Sequence, residues 1–268
     1  MRYKRIMAIT KQIRSAAGRL AGWLPASWRR ALRRRYYVRV VEAHTPADWE
    51  WSPFILPLIP AGGHVLDIGA NVGYLSKLFA QRAGAGGRVV SVEPIPATYD
   101  VLANNMRTLF PATVTTLACC VSDRPGEVAM TVPRYEGGGE NYYESHIVTD
   151  PADAASGLIR VPARTMAQII DEQGLRPDFI KIDVEGHELA VIQGAADYLS
   201  RHRPPLLIEV AGDPDQAGAP AARLFDVLNG WGYRPRVIRD GRLDDRRTGD
   251  RSVDYLFVAE SGTGGKTV

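Results

Sequence analysis

Cysteine is nearly absent: the 268 residues contain two, and they are adjacent, Cys119 and Cys120. Neighbouring side chains on a strand point to opposite faces, so the pair outlines neither a disulfide framework nor a zinc site. Both read as small buried hydrophobes, and the usage fits a reducing, cytoplasmic compartment. Long apolar runs are also missing; none approaches the ~20 residues that span a bilayer. Lys11, Arg14 and Arg19 interrupt the N-terminus where a secretory signal needs an apolar stretch. Acid is absent from residues 1–41, which hold 12 of the 33 basic side chains. The remainder carries 21 basic against 30 acidic residues. A mildly acidic body argues against a globally basic nucleic-acid binder.

What is present is an ordinary globular composition, 45% hydrophobic and 24% charged. Residues 1–45 read as a basic helical extension, 46–260 as the main domain and 261–268 as a flexible tail. The extension mixes Ile6, Ile9, Ile13, Leu20, Trp23 and Leu24 with Arg and Lys, then runs into the dense basic stretch Trp28–Arg35. Residues 1–40 could rest on an anionic membrane surface, cap the domain, or meet an acidic partner.

From about residue 45, short β-rich runs alternate with helical stretches. The spacing predicts strands at 64–68, 88–93, 113–118, 179–183, 206–210, 233–238 and 253–259. Helices are expected at 73–82, 96–109, 188–200 and 221–231. Such alternation implies a doubly wound α/β sheet, mostly parallel, with an antiparallel pair at the end. The stretch Arg134–Gly157 breaks the rhythm, with three glycines followed by Tyr142, Tyr143 and His146. It reads as a loop that either closes over an acceptor or stays at the surface.

The first strand ends in Asp67-Ile68-Gly69-Ala70-Asn71-Val72-Gly73. In open α/β sheets a ligand sits beyond the carboxyl end of such a strand. The spacing is D-x-G-x-x-x-G rather than G-x-G-x-x-G, and the acid at Asp67 would repel a pyrophosphate. It suits a ligand bearing an ammonium and a sulfonium. Glu93 ends the second strand, 20 residues after Gly73, where a carboxylate can accept both hydroxyls of a ribose. Asp67, Gly69, Gly73 and Glu93 together point to an adenosyl cofactor with a cationic tail.

Val65–Leu78 (VLDIGANVGYLSKL), Val90–Pro94 (VSVEP), Phe179–Glu188 (FIKIDVEGHE) and Leu206–Val210 (LLIEV) resemble the FkbM family of class I methyltransferases. The resemblance implies a Rossmann-like seven-stranded sheet and S-adenosylmethionine as cofactor. It implies O-methylation of a small hydroxylated acceptor: a sugar, a glycan or a polyketide-like secondary metabolite. By position, Asp67, Gly69, Asn71 and Gly73 would line the methionine end and Glu93 would hold the ribose. Ser122 and Asp123 would lie near the adenine, although Ser122–Gly126 also reads as an ordinary turn.

Asp183-Val184-Glu185-Gly186-His187-Glu188 falls where a fourth strand ends, and Glu209 ends the next. A hydroxyl acceptor must lose its proton. His187 is one candidate base. Alternatively Asp183, with Glu185 or Glu209, could hold Mg²⁺ through hard oxygen ligands. Glu188 opens a helix, where an acid is favoured by the helix dipole alone. Other readings are an N-methyltransferase, without the Asn/Asp-Pro-Pro-aromatic run common there, and a nicotinamide dehydrogenase, disfavoured by Asp67 and the glycine spacing. A fourth is a non-catalytic membrane-peripheral module that binds the cofactor.

Overall fold

The computed structural model describes residues 25–131, 146–147 and 158–259. Tyr142, Tyr143 and the 261–268 tail lie outside the described residues. Of His146, only the backbone is described.

Helix α1 (Ala26–Ala43) leads through short turns and α2 (Ser52–Ile55) into β1 (His64–Ile68). There follow α3 (Tyr74–Ala83), β2 (Arg88–Val92), α4 (Pro96–Leu109) and β3 (Val114–Leu117). Next come β4 (Cys120–Ser122), β5 (Gly126–Thr131), β6 (His146–Ile147), β7 (Leu158–Thr165) and α5 (Met166–Glu172). The final portion runs β8 (Phe179–Ile182), α6 (Glu188–Gln193), α7 (Ala196–His202), β9 (Leu206–Glu209) and α8 (Pro220–Gly230). It closes with β10 (Tyr233–Arg239), β11 (Arg242–Asp245) and β12 (Asp254–Ala259).

The main sheet has the order β11-β10-β12-β9-β8-β1-β2-β3. Strands β9, β8, β1, β2 and β3 run parallel; β12, β10 and β11 pair antiparallel. Seven strands follow the implied doubly wound plan. The eighth, β11, lies between the last two expected strands, where none is expected. The strand order reverses direction at β1, so a crevice opens beyond the carboxyl ends of β1 and β8.

Both faces of the sheet are covered, which is why its strands read as continuous apolar runs. One face, with Leu66, Ile68, Val90, Ile180, Ile182 and Ile208, packs on α5, α6, α7 and α8. The other, with Val65, Val89, Phe179 and Leu207, packs on Trp51, Ile55, Ile59 and Phe79. Because side chains alternate, the second face continues into Asp67, Ser91, Lys181 and Glu209 two residues further along. The same row of positions is oil at the amino end and charge at the carboxyl end. Helix α1 packs Tyr37 and Val41 against Val101, Leu102 and Met106 of α4, with Arg34 Nε donating to Asp100 at 2.9 Å.

The chain between β3 and α5 departs from the expected plan. It builds a separate four-stranded sheet, β4-β7-β5-β6. Ser122, expected just after the third strand, therefore lies in a strand of its own. The free cysteines are buried on opposite sides, Cys119 in the main core and Cys120 with Ile95, Met130 and Val161. The helix expected at 188–200 is two helices, α6 and α7, interrupted at Gly194. A Cβ at Gly194 would overlap the Ser122 carbonyl oxygen, so the close approach of the α6–α7 junction to β4 requires the glycine there.

Gly194→Ala is accordingly expected to destabilise the protein by about 1–3 kcal/mol, the scale of overpacking. Urea unfolding measures it, and an unchanged midpoint would show that the contact yields without cost.

Candidate functional site

At the carboxyl ends of β1, β8 and β9 lies a cavity of about 530 Å³. Its floor is the glycine turn. Gly69 has φ +77°, and a Cβ there would run into the Asp183 carbonyl oxygen, so only glycine lets the turn pass the end of β8. Asp67, Gly69, Asn71, Lys181, Asp183 and Glu209 all line this space. Asp254 closes one side, and His44 through Trp51 form the wall opposite the sheet, apart from Thr45 and Pro46.

Lys181 organises the charges. Its Nζ donates to the Gly69 carbonyl oxygen and to Asp183 Oδ2, both at 2.9 Å, and lies 3.9 Å from Asp67 Oδ1. Burial works against this ammonium, but Asp183, Asp67 and Glu209 outweigh it and raise its pKa above the ordinary lysine value. Asp67 is fully buried. Ser76 Oγ donates to its Oδ2 at 2.6 Å and takes a bond from Ser91 in turn. Asp67 Oδ1 has no hydrogen-bond partner among the described residues. Burial pushes the Asp67 pKa up, with Lys181 and Ser76 pulling back.

Burial and mutual repulsion act on the other acids. Glu209 is pushed up to about 8 by burial, Asp183, Asp254 and Glu185. Asp254, which takes a hydrogen bond from the Trp51 side chain, is pushed up to about 6 by burial and Asp183. Glu93 is pushed up to about 7 by burial, although its two oxygens accept the backbone N–H groups of Ile95 (2.9 Å) and Asn71 (3.1 Å). Glu93 therefore ties the glycine turn to the end of β2 from behind the cavity wall.

Residues 67–235 match the Methyltransferase FkbM domain family, more than half of the chain. The chain belongs to that family. This FkbM domain is 28% identical over 160 residues to methyltransferase sdnD of Sordaria araneosa, covering 51% of this chain and 61% of that protein. It is 26% identical over 134 residues to the hexuronic acid methyltransferase AglP of Haloferax volcanii, covering 50% of each. The chain thus spans less than two thirds of these curated relatives. A solved FkbM methyltransferase from Methylobacillus flagellatus shares 24% identity, covering 73% of this chain and 43% of that one, with a TM-score of 0.46.

Within the FkbM domain, the residues predicted from sequence divide into two groups. Asp67, Gly69, Asn71, Asp183 and Glu209 share the cavity, and Gly73 sits directly before α3. Carboxylate oxygens of Asp183, Glu185 and Glu209 lie within 4.8 Å of one another, with Glu185 the exposed member. His187, Ser122 and Asp123 do not line the cavity. The His187 Nε2 is 2.9 Å from Ser122 Oγ, which also bonds Asp123, and burial holds the imidazole below its ordinary pKa. His187, one of the candidate bases, thus joins the turn before α6 to β4. Glu188 accepts the Gly186 N–H at 2.6 Å and closes the turn, in keeping with a helix-start role.

Lys181, Asp254 and the His44–Trp51 wall were not anticipated. Lys181 left a trace, since a lysine inside the buried run FIKI needs a buried partner. The wall left none: it lies outside the family match and reaches the cavity only through tertiary packing.

Removing one member of a buried ion pair strands the others. Lys181→Met is expected to cost about 3–5 kcal/mol of stability in denaturant unfolding; a loss under ~1 kcal/mol would show that the ammonium is dispensable.

A pH dependence also follows. Glu93 and Glu209 titrate above the ~4.3 of an unfolded glutamate, so the folded state holds protons that the unfolded chain has lost. Stability then falls as pH rises towards their folded values. His44 and His187, held low by burial, act in the opposite sense, but only below ~6.5. Between pH ~6.5 and about 8 the carboxylates decide, and the urea midpoint is expected to drop. Glu209→Gln should flatten that drop. A midpoint that rises across the window would contradict the assignment.

Proposed function

We propose that the protein transfers the methyl group of S-adenosylmethionine to a hydroxyl of a small acceptor: a sugar, a glycan or a polyketide-like secondary metabolite. The observation that carries this reading is the buried Asp67 Oδ1, which accepts no hydrogen bond, on the wall of the cavity that the glycine turn floors. A carboxylate oxygen with Lys181 near it but no hydrogen bond, beside a permissive turn, fits a ligand with a cationic tail. Asp67, Gly69 and Asn71 would hold the methionine end. Glu93, already fixed by two backbone N–H groups, has lone pairs left for ribose hydroxyls. Ser122 and Asp123, which do not line the cavity, remain candidates for the adenine edge.

When bound, the cofactor supplies an electrophilic methyl on a sulfonium. The chain's own residues do the rest. Asp183 Oδ2 is fixed by Lys181, so the carboxylate is held rigidly enough to take the hydrogen of the acceptor hydroxyl through its other oxygen. Lys181 keeps the acids around it from driving each other apart. Trp49 and Tyr74, half-buried on the wall, offer flat apolar faces to a ring-shaped acceptor. The name of the Haloferax relative, a hexuronic acid methyltransferase, supports the sugar class.

A second reading is favoured by the grouping of Asp183, Glu185 and Glu209. These hard oxygen ligands would hold Mg²⁺, which would lower the pKa of the acceptor hydroxyl. EDTA separates the two readings: loss of turnover that Mg²⁺ restores supports the metal, and indifference to chelation supports Asp183 with Lys181.

Asp183→Asn is expected to lower turnover by about 10²–10⁴-fold while S-adenosylhomocysteine binds as before. Full activity in that variant would remove Asp183 from the chemistry. Glu93→Ala is expected to weaken cofactor binding by about 1.5–3 kcal/mol in calorimetry, and unchanged affinity would rule out the ribose role. The function itself is tested by a labelled methyl-transfer screen over sugars and hydroxylated natural products. Transfer only to amines, with none to a hydroxyl, would overturn the O-methyl reading.

A further inference from the structure

Helix α1 carries two apolar stripes, and the fold covers only one of them. The inner stripe, Tyr37 and Val41, is buried against α4, and Arg34 on that side is paired with Asp100. The outer stripe is Trp28, Leu32 and Tyr36, which are 62%, 51% and 43% exposed. These three account for most of the exposed large hydrophobic side chains among the described residues. They recur every fourth residue, so they fall within an arc of about 80° at 100° per residue.

The same arc is basic. Around the helix axis Arg39 falls at an angle between Trp28 and Leu32, one turn beyond Tyr36, with Arg35 and Arg29 at the arc's borders, and all three are exposed. The only acid in α1 is Glu42, in its last turn. Three arginines and three large apolar or aromatic side chains thus share one solvent-facing strip that carries no carboxylate along its first four turns. The strip belongs to the region, residues 1–41, that holds 12 basic side chains and no acid.

Single exposed apolar side chains are ordinary, but Trp28, Leu32 and Tyr36 in one row make a contiguous patch of the kind that marks an interaction surface. A nucleic-acid backbone would use the arginines but gain little from Leu32. An anionic bilayer surface uses both: the apolar side chains enter the boundary between headgroup and acyl chain, while the arginine stems extend to phosphate. We infer that the outer face of α1 docks on a membrane surface carrying anionic phospholipid headgroups. The helix does not cross the bilayer, since no described helix is long and apolar enough. It lies in the plane of the surface. Because α1 ends at Ala43 and His44 begins the cavity wall, the docking face and the cavity are joined by a single residue step.

The test uses the full chain and sedimentation with vesicles of phosphatidylcholine alone or mixed with phosphatidylglycerol. Binding is expected only to the anionic vesicles and to weaken with salt. Arg35→Gln and Arg39→Gln should each lower partitioning about fivefold, and Trp28→Ser with Leu32→Ser by at least ~tenfold. Calorimetry with S-adenosylhomocysteine checks that each variant keeps the wild-type cofactor affinity, so loss of docking is not loss of fold. The inference is overturned by absence of vesicle binding at low salt. It is overturned equally by binding that all four substitutions leave unchanged, which would place the contact elsewhere in the basic region. A preference for duplex or single-stranded nucleic acid over anionic vesicles, or a dimer that the Trp28 and Leu32 substitutions dissolve, would also reject it.

Discussion

A single ammonium holds the catalytic end of this fold together. Lys181 is buried where three parallel strands finish, bonded to the Gly69 carbonyl and to Asp183, and close to Asp67. A lysine is rarely buried without partners, and here the partners belong to different strands, so one side chain fixes the relative position of β1 and β8. The glycine turn, the acid before it and the acid after β8 all take their places from that centre. The arrangement leaves more negative than positive charge around the cavity. Burial first, and the neighbouring Asp183 second, raise Glu209 to about 8 and Asp254 to about 6.

The sheet was legible in the sequence because strands buried on both faces must be apolar along their length, and helices between them must be periodic. β1, β2, β8, β9 and α4 fall where that pattern puts them. The second sheet was not legible. β4 has only three residues, and β5 and β7 are partly exposed and pair with each other across the 132–157 stretch, so no continuous apolar run marks them. The split of α6 from α7 was hidden for a related reason. Gly194 reads as a tolerable helix glycine until the Ser122 carbonyl occupies the space beside it.

The site was half legible. Acids at strand ends stand out because charge interrupts an apolar run, and this rule finds Asp67, Glu93, Asp183 and Glu209. It also points to His187, whose neighbours in sequence lie at the cavity. The ring itself turns to Ser122, a contact across 65 positions that no local pattern encodes. The histidine that does line the cavity, His44, comes from a segment with no motif at all, brought there because α1 packs on α4 and Lys77 holds the His44 carbonyl. The FkbM match begins at residue 67. The glycine turn and the acids at the strand ends therefore lie inside the family match, and the His44–Trp51 wall lies outside it.

The central claim is that Asp67, set beside Lys181, and the glycine turn would grip the cationic tail of an adenosyl cofactor. The most direct measurement is a crystal structure with S-adenosylhomocysteine bound. The account predicts the homocysteine ammonium against Asp67 and the 69–71 turn, with the ribose hydroxyls on Glu93. A ligand seated with its ribose away from Glu93, or with its amino acid tail outside the cavity, would contradict it.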